Sequence, residues 1–380
     1  MNSAYVTSSI ALQRCDVFVG RTTNWLYDHL RFVPRYTPLV LCDKRLNYDE
    51  FPELEDWSTH WSLTRRLWRR LTGNRFYPRE RRQLKRLAPC LLHSHFGTVA
   101  VNDYILKRSL DVPWLVSFYG ADAFDGCQSE KQQRYAQLFD QAALVLALGP
   151  FMKARLEQLC CPAEKIVIHP LGVDVEHLPY RPRELKLGET LRILFAGTLR
   201  EKKGIQYVIE AAALAQQAGV RFELWLVGEA SGKAGDRETA EAVFRRIGQL
   251  GLEKVVTHHP YLSFQELIAL ALRAHVFVAP SVTAADGDAE GTPFVIQQMM
   301  ATGMPVITTV HSDIPFLFGE QRHLLVPERD AQAIADRIQH YVDEPEALST
   351  DGARLRERIC ALNIRECAAR LSDLYDTVRY

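Results

Sequence analysis

The sequence predicts an α/β protein built from two doubly wound domains, each a parallel sheet covered by helices on both faces. Three observations carry this. Short β-branched runs alternate with helix-like segments from end to end. The runs are continuously apolar rather than apolar at every second residue, as strands buried on both faces must be. At 380 residues the chain is too long for one compact domain, and the alternation restarts near its middle.

In the first half, the runs at 38–42, 91–95, 114–118, 143–148 and 165–169 read as strands. Two segments, 4–8 and 16–20, compete to be the first strand. The second half gives strands at 192–196, 222–227, 255–258, 276–279, 306–309 and 324–326. Between them lie helical patterns at 204–217, 236–250, 263–273 and 331–342. The polar, proline-bearing stretch YRPRELKLGET at 180–190 precedes a fresh strand and marks the boundary. Domains are therefore expected at 1–182 and 183–360, with a last helix at 363–378 inside a terminal segment 361–380.

The totals exclude several classes. Hydrophobic residues make up 47% and charged residues 24%, as in an ordinary globular protein. Formal net charge is zero, so any electrostatic function must come from local asymmetry. Eight cysteines without a C-x-x-C fit neither a zinc site nor a disulfide framework. The start, MNSAY, lacks the basic and apolar regions of a signal peptide. No apolar run approaches the roughly 20 residues needed to span a bilayer. The expectation is a reduced, cytoplasmic protein.

One local asymmetry is strong. The segment 61–87, WSLTRRLWRRLTGNRFYPRERRQLKRL, holds ten Arg or Lys and a single acid, Glu80. Trp61, Leu63, Leu67, Trp68 and Leu71 interleave with the cations at helical spacing. An anionic membrane surface suits such a helix, at about 1 kcal/mol per cation. A solvated basic face is the plain structural alternative. Nucleic acid is a third, and no nucleic-acid motif accompanies the patch.

Chemistry is concentrated in a few strand ends. In DAEGTPFVIQQMMATGMPVITT, 288–309, Gly291 allows a sharp turn, Thr292 suits an N-cap and Pro293 the first helical position. The free N–H groups of that helix start, Gly291 to Phe294, form a candidate phosphate cradle at the carboxyl end of the strand 276–279. Glu290 would repel a phosphate, so it suits sugar hydroxyls or a developing positive charge. Equally, it could serve only the helix dipole. In FAGTLREKKGI, 195–205, the strand exit at Gly197 is followed by Thr198, Arg200, Lys202 and Lys203, well placed for a diphosphate. A solvated loop would look the same. Gly228, in LWLVGEASG, ends another strand that could face a nucleotide.

In the first half, LLHSHFG at 91–97 places His93 and His95 on one strand face. One packed histidine, with His95 reaching out at the strand end, is the commoner arrangement. No third ligand stands near enough for a metal pair. In WLVSFYGAD, 114–122, Asp122 could orient a substrate or cap a helix.

Taken in order, these pieces resemble the retaining glycosyltransferases of the GT-B fold, family 4, and most of all those of exopolysaccharide and lipopolysaccharide synthesis. The motifs are HSHFG, FYGAD, LGVDVEHL, GTLREKKG, LVGE, APSVTAADGDAEGTP and GMPVITT, which together cover nearly the whole chain after about residue 90. The resemblance implies two Rossmann-like domains facing each other across a cleft, with the final helix crossing back to the first domain. It implies transfer of a sugar from a nucleotide-diphosphate sugar to a glycan or lipid-linked acceptor, with no cofactor and no metal; the basic segment 61–87 adds the expectation of a peripheral place at the inner face of the membrane. Lys203 then matches the lysine that holds the donor diphosphate, Glu290 the acid near the reacting carbon, and the amides of Gly291, Thr292, Pro293 and Phe294 the phosphate cradle (proline itself lacking an N–H). Tyr119 and Asp122 stand in the catalytic strand end, and His95 and Gly97 on the acceptor side.

Three positions depart from the family pattern. Thr198 replaces an arginine, Tyr119 a histidine, and Gln298 the acid that accepts the ribose hydroxyls. These departures leave room for a non-transferring member that binds a glycan or a partner enzyme. A sugar-nucleotide epimerase on the same fold is a further alternative.

Overall fold

The computed structural model describes residues 9–20, 24–52, 54–58, 62–72, 75–124, 128–232 and 234–379. Two sheets organise them. The first runs in the order β3-β2-β1-β4-β5-β6-β7, from β1 (Ser9–Phe18), β2 (Tyr36–Arg45), β3 (Asp56–Ser58), β4 (Leu91–His95), β5 (Trp114–Ser117), β6 (Leu144–Ala147) and β7 (Ile166–Ile168). The second runs β10-β9-β8-β11-β12, from β8 (Leu191–Ala196), β9 (Phe222–Val227), β10 (Val256–His259), β11 (Val276–Ala279) and β12 (Val306–Thr308). Every strand pair is parallel. Strand order reverses between β1 and β4 in the first sheet and between β8 and β11 in the second. Ligands of open α/β sheets bind outside the carboxyl ends of strands at such reversals.

The first strand was obscured in the sequence for a physical reason. Segment 4–8 lies outside the described residues, and 16–20 overlaps only the end of β1. The strand carries Gln13 and Arg14, which break the apolar run yet are buried. Arg14 is compensated there by Asp103 at 3.3 Å and Asp43 at 3.1 Å, as burial of a charge demands. The strand expected at 324–326 is absent: Gly319–Leu324 is a 3-10 turn, and only Val326 bridges to Thr309. Pro327 follows and has no N–H to extend the ladder.

The chain divides into two units, Met1–Gly172 with Ile364–Tyr380, and Val173–Asn363. The expected boundary at 182/183 therefore falls inside the second unit. Val173, Val175 and Leu178 are buried in that unit's core with Phe277, Met299 and Leu355. Arg183, also buried, donates to the carbonyls of Ala271, Ala274 and Thr302. The last helix, Ile364–Arg379, belongs to the first unit, where Ala368, Leu371 and Tyr375 pack with Ala11, Leu91 and Leu115.

Candidate functional site

In the second unit, both candidate loops sit at the strand-order reversal. One leaves β8 and the other leaves β11. Gly204 lets them approach, and Gly228, after β9, lets a third strand end close on the first loop. Gly204 has φ +65°, and a Cβ there would lie 1.9 Å from the Pro280 carbonyl oxygen. Gly228 has φ +137°, and its Cβ would lie 1.9 Å from the carbonyl oxygen of Gly197. Only glycine fits either position. A backbone bond from Val282 N–H to Lys202 O, 2.9 Å, joins the loops.

Their charges interlock. Glu290 Oε1 lies 3.1 Å from Lys203 Nζ and 3.2 Å from Lys202 Nζ. Burial would raise the Glu290 carboxyl, but the two ammonium groups outweigh it and hold the pKa down to about 2. Lys202 also meets Asp288 at 3.0 Å, and Asp288 is held in turn by Arg200 at 2.9 Å. Arg200 reaches Asp236 at 3.0 Å. Burial works against the charge on Lys202, yet Glu290 and Asp288 leave its pKa raised. The structure thus separates two neighbouring lysines. Lys202 is buried between two carboxylates, whereas Lys203 is partly exposed with Glu290 as its ion-pair partner among the described residues. Arg200 is likewise committed to Asp236 and Asp288. Thr198, partly exposed, contributes its carbonyl to the N–H of Arg200 at 2.8 Å.

The helix after Glu290 spans Phe294–Ala301, with Pro293 rather than Thr292 at the cap position and no side-chain cap bond. Thr292 is buried, and its Oγ1 has no partner among the described residues. The N–H groups of Phe294 and Val295 have no recorded acceptor among them either. A cradle of open donors results. Gln298 is buried to 6% exposure and Gln297 to 0%; both polar atoms of the Gln297 amide lack a partner among the described residues.

At the carboxyl ends of β4 and β5, in the first unit, the geometry revises two expectations. His95 does not reach outward: it is buried beside His93, with ring centroids 4.2 Å apart. Its Nδ1 lies 2.7 Å from Tyr119 Oη and its Nε2 3.0 Å from Gln13 Oε1. Because Gln13 Oε1 can only accept, Nε2 carries the proton and Nδ1 accepts from Tyr119. Asp122 is buried and accepts the N–H groups of Gly97, Tyr119 and Gly120 at 3.0, 3.0 and 2.9 Å. Burial raises its carboxyl, against the pull of those three amides. Asp122 therefore fixes the loop; its lone pairs are committed to backbone, as is the Gly97 amide. Tyr119 packs on Trp25 at 4.5 Å and Phe96 at 4.8 Å.

The basic segment forms two helices, Leu63–Thr72 and Pro78–Arg86; Trp61 lies outside the described residues. Several of its cations are structural. Arg65 pairs with Glu80, and Arg75 reaches Asp16 and Asp43. Others, Arg66, Arg70, Arg79, Arg82, Lys85 and Arg86, are exposed. Leu67 and Leu71, 58% and 75% exposed, lie beside Arg66 and Arg70 one helical turn apart.

Sequence reasoning missed Asp236, Asp288, His311, Glu328, Gln13 and Tyr375. Asp288 stood in the quoted stretch, two residues before Glu290, but nothing local distinguishes it from a solvated acid. The others are brought in from distant segments.

Comparison with known proteins places this geometry. Residues 179–358 match the family model "Glycosyl transferases group 1", and residues 36–177 match "Glycosyltransferase Family 4". Over 292 residues the chain is 31% identical to WcaL of Salmonella typhimurium, a glycosyltransferase assigned to colanic acid biosynthesis, covering 75% of this chain and 70% of the relative. WcaL of Escherichia coli (strain K12) is 36% identical over 272 residues, covering 70% of this chain and 65% of that protein, just under two thirds of its length. AmsK of Erwinia amylovora, an amylovoran biosynthesis glycosyltransferase, is 33% identical over 64% of this chain and 59% of its own length. Among solved structures, Anabaena Alr3699/HepE in complex with UDP superposes with a TM-score of 0.78 at 16% identity, covering 97% of this chain and 100% of that one. Sucrose-phosphate synthase from Thermosynechococcus elongatus gives 0.74 at 20% identity, covering 97% and 98%.

Proposed function

The chain belongs to the group 1, family 4 glycosyltransferases and has their GT-B fold; from that premise we propose that it moves a sugar from a nucleotide-diphosphate sugar to a glycan or lipid-linked acceptor in surface polysaccharide synthesis. The observation that carries this is the meeting of three things at the second unit's strand-order reversal. Open amides at the start of the helix Phe294–Ala301 can bind the diphosphate. Lys203 is partly exposed and able to turn toward it. Glu290, held anionic, can face the sugar. The relatives assigned to colanic acid and amylovoran synthesis support the acceptor class, and the UDP complex of a protein of the same fold supports the donor class.

The mechanism follows from the charges. When a diphosphate enters, Lys203 can leave Glu290 for a phosphate oxygen, while Lys202 stays bound to Asp288. That exchange keeps Glu290 anionic through Lys202 and frees part of its carboxylate for a sugar hydroxyl or the positive charge developing at the anomeric carbon. Lys203 and the helix dipole then stabilise the leaving phosphate. In this reading no cofactor or metal takes part. The leaving phosphate oxygen accepts the acceptor's proton, and configuration is retained. The acceptor would meet the first unit at the carboxyl ends of β4 and β5, where Asp122 holds the loop carrying Tyr119 and Gly120, while His95 supports Tyr119 from the interior. Gln298 takes the ribose-binding position as a neutral acceptor.

Among the described residues, no helix is long and apolar enough to cross a membrane. We place the protein at an anionic cytoplasmic membrane surface through Arg66, Leu67, Arg70 and Leu71, whose exposure suits shallow insertion. Sedimentation with anionic liposomes checks this. Reversing Arg66 and Arg70 to Glu should abolish co-sedimentation, and unchanged binding would remove the proposal.

Thermal melting with UDP, GDP, ADP and TDP tests the donor site, since a ligand of the native state raises stability. At least one should raise the melting temperature, and Glu290→Ala should keep that shift while losing transfer. No shift with any of the four would take away the transferase reading. A shift without turnover in the wild type would favour the non-transferring alternative that Thr198, Tyr119 and Gln298 leave open.

A further inference from the structure

We propose that His311 is a positioning residue for Glu290, acting with Glu328 as a relay that fixes the backbone on which Glu290 stands. The inference rests on the reading of Glu290 as the acid that meets the donor sugar.

The geometry is specific. His311 Nε2 accepts the N–H of Glu290 at 3.1 Å. A backbone N–H can only donate, so Nε2 must be the unprotonated nitrogen and the ring proton sits on Nδ1. That proton points to Glu328 Oε1, 2.6 Å away. A carboxylate fixing the imidazole tautomer so that the other nitrogen can act is a recurrent physical device. The His311 side chain is 1% exposed, so water cannot easily replace either bond.

Glu328 does a second job with its other oxygen. Its Oε2 accepts the N–H of Thr283 at 3.1 Å. Arg329 donates from Nη2 to the carbonyl of the same Thr283 and from Nη1 to Tyr207 Oη at 3.1 Å. The loop between β11 and the helix Phe294–Ala301 is thus clamped at Thr283 directly and at Glu290 through His311. Both clamping residues sit at bends of unusual backbone. Arg329 has φ +62°, and Ser312, next to His311, has φ +44°. Non-glycine residues occupy that region only where the surroundings impose it.

The side chain of Glu290 is held by the two lysines, and in the proposed exchange Lys203 turns from it to the diphosphate. After that exchange, the main-chain bond to His311 remains as the anchor. A displacement of about 1 Å at a reacting group can cost about 100-fold in rate. The relay would therefore act on the rate of transfer rather than on donor binding.

Amide hydrogen exchange at Glu290 reads the relay without any substrate. His311→Ala should speed it by about 100-fold, and His311→Gln, whose Oε1 can occupy the Nε2 position, should restore part of the protection. Donor hydrolysis and transfer should show kcat down by about 100-fold in His311→Ala with donor KM little changed, and partial recovery in His311→Gln. Should the alanine variant fail to fold, Glu328→Gln keeps the volume, loses the charge and should show the same exchange change. Unchanged Glu290 exchange, or a kcat equal to wild type in a folded His311→Ala that binds nucleotide, would overturn the proposal. A wild type that neither binds nucleoside diphosphates nor turns over would instead defeat the transferase reading, and the exchange result would still judge the relay.

Discussion

Lys202 and Lys203 are neighbours in sequence and differ in their surroundings. Local sequence places both in one basic loop and does not rank them; only the family resemblance singles out Lys203. The structure puts Lys202 between Asp288 and Glu290 in a buried setting, with Lys203 at the margin. Replacing Lys202 by Ala leaves buried carboxylates undercompensated and should cost about 3 kcal/mol in urea denaturation. Replacing Lys203 by Ala should cost less than Lys202→Ala, because Glu290 keeps Lys202 as a counter-ion and the Lys203 ammonium is partly exposed, and should raise donor KM. Equal stability losses in the two variants would contradict this assignment. Glu290 adds a pH signature. Its folded pKa is depressed to about 2, so its contribution is complete above pH 4.5 and is lost as pH falls from 4.5 to 2.

The strands and helices were legible where their patterns are local. β4, β9 and β11 have the bounds expected for them from the sequence, 91–95, 222–227 and 276–279. β1 was not legible, because its polar residues are compensated by partners outside it. Gln13 bonds Tyr375 at 3.1 Å and His95 at 3.0 Å. β4, the helix Trp25–Arg31, the segment after β7 and the helix Ile364–Arg379 gather four buried histidines of the first unit: His29, His93, His95 and His169. Burial, and then a neighbouring imidazole, lowers His29 and His95 to about 3. Burial lowers His93 and His169 as well. The unfolded chain takes up protons near pH 6.5 that the folded unit refuses. Stability from these groups is therefore full above pH 6.5 and falls below it, for His29 and His95 by about 1.4 kcal/mol per pH unit each until the pH nears their folded values of about 3. The denaturation midpoint of the first unit should drop between pH 7 and pH 5, and replacing His29 with Gln should flatten the slope. A midpoint that holds constant across that range would show that the imidazoles protonate in place.

The first unit is closed by segments far apart in sequence, β1 and the helix Ile364–Arg379. Tyr375 packs in that core, and its Oη lies 2.8 Å from His93 Nδ1. Deleting 364–380 uncovers Leu91, Leu115 and the His93 pair, so the first unit should become protease-sensitive. Val173–Asn363 has its own core and should survive as a resistant fragment. Loss of both units together would show that they fold as one.

The sequence alone determined the alternation of buried strands and helices and the two loops, after β8 and β11, that hold the lysines and Glu290. These are short-range signals: apolar period, a glycine at a turn, an acid before a helix. Only the tertiary structure decided that Lys202, Arg65 and Arg75 are internal counter-ions, that Asp122 is committed to backbone amides, and that His311 holds the main chain of Glu290. Those roles depend on partners far apart in sequence, Arg75 with Asp16 or Gln13 with Tyr375. A side chain's chemistry is set by burial and by the charge facing it, and neither exists until the chain has folded.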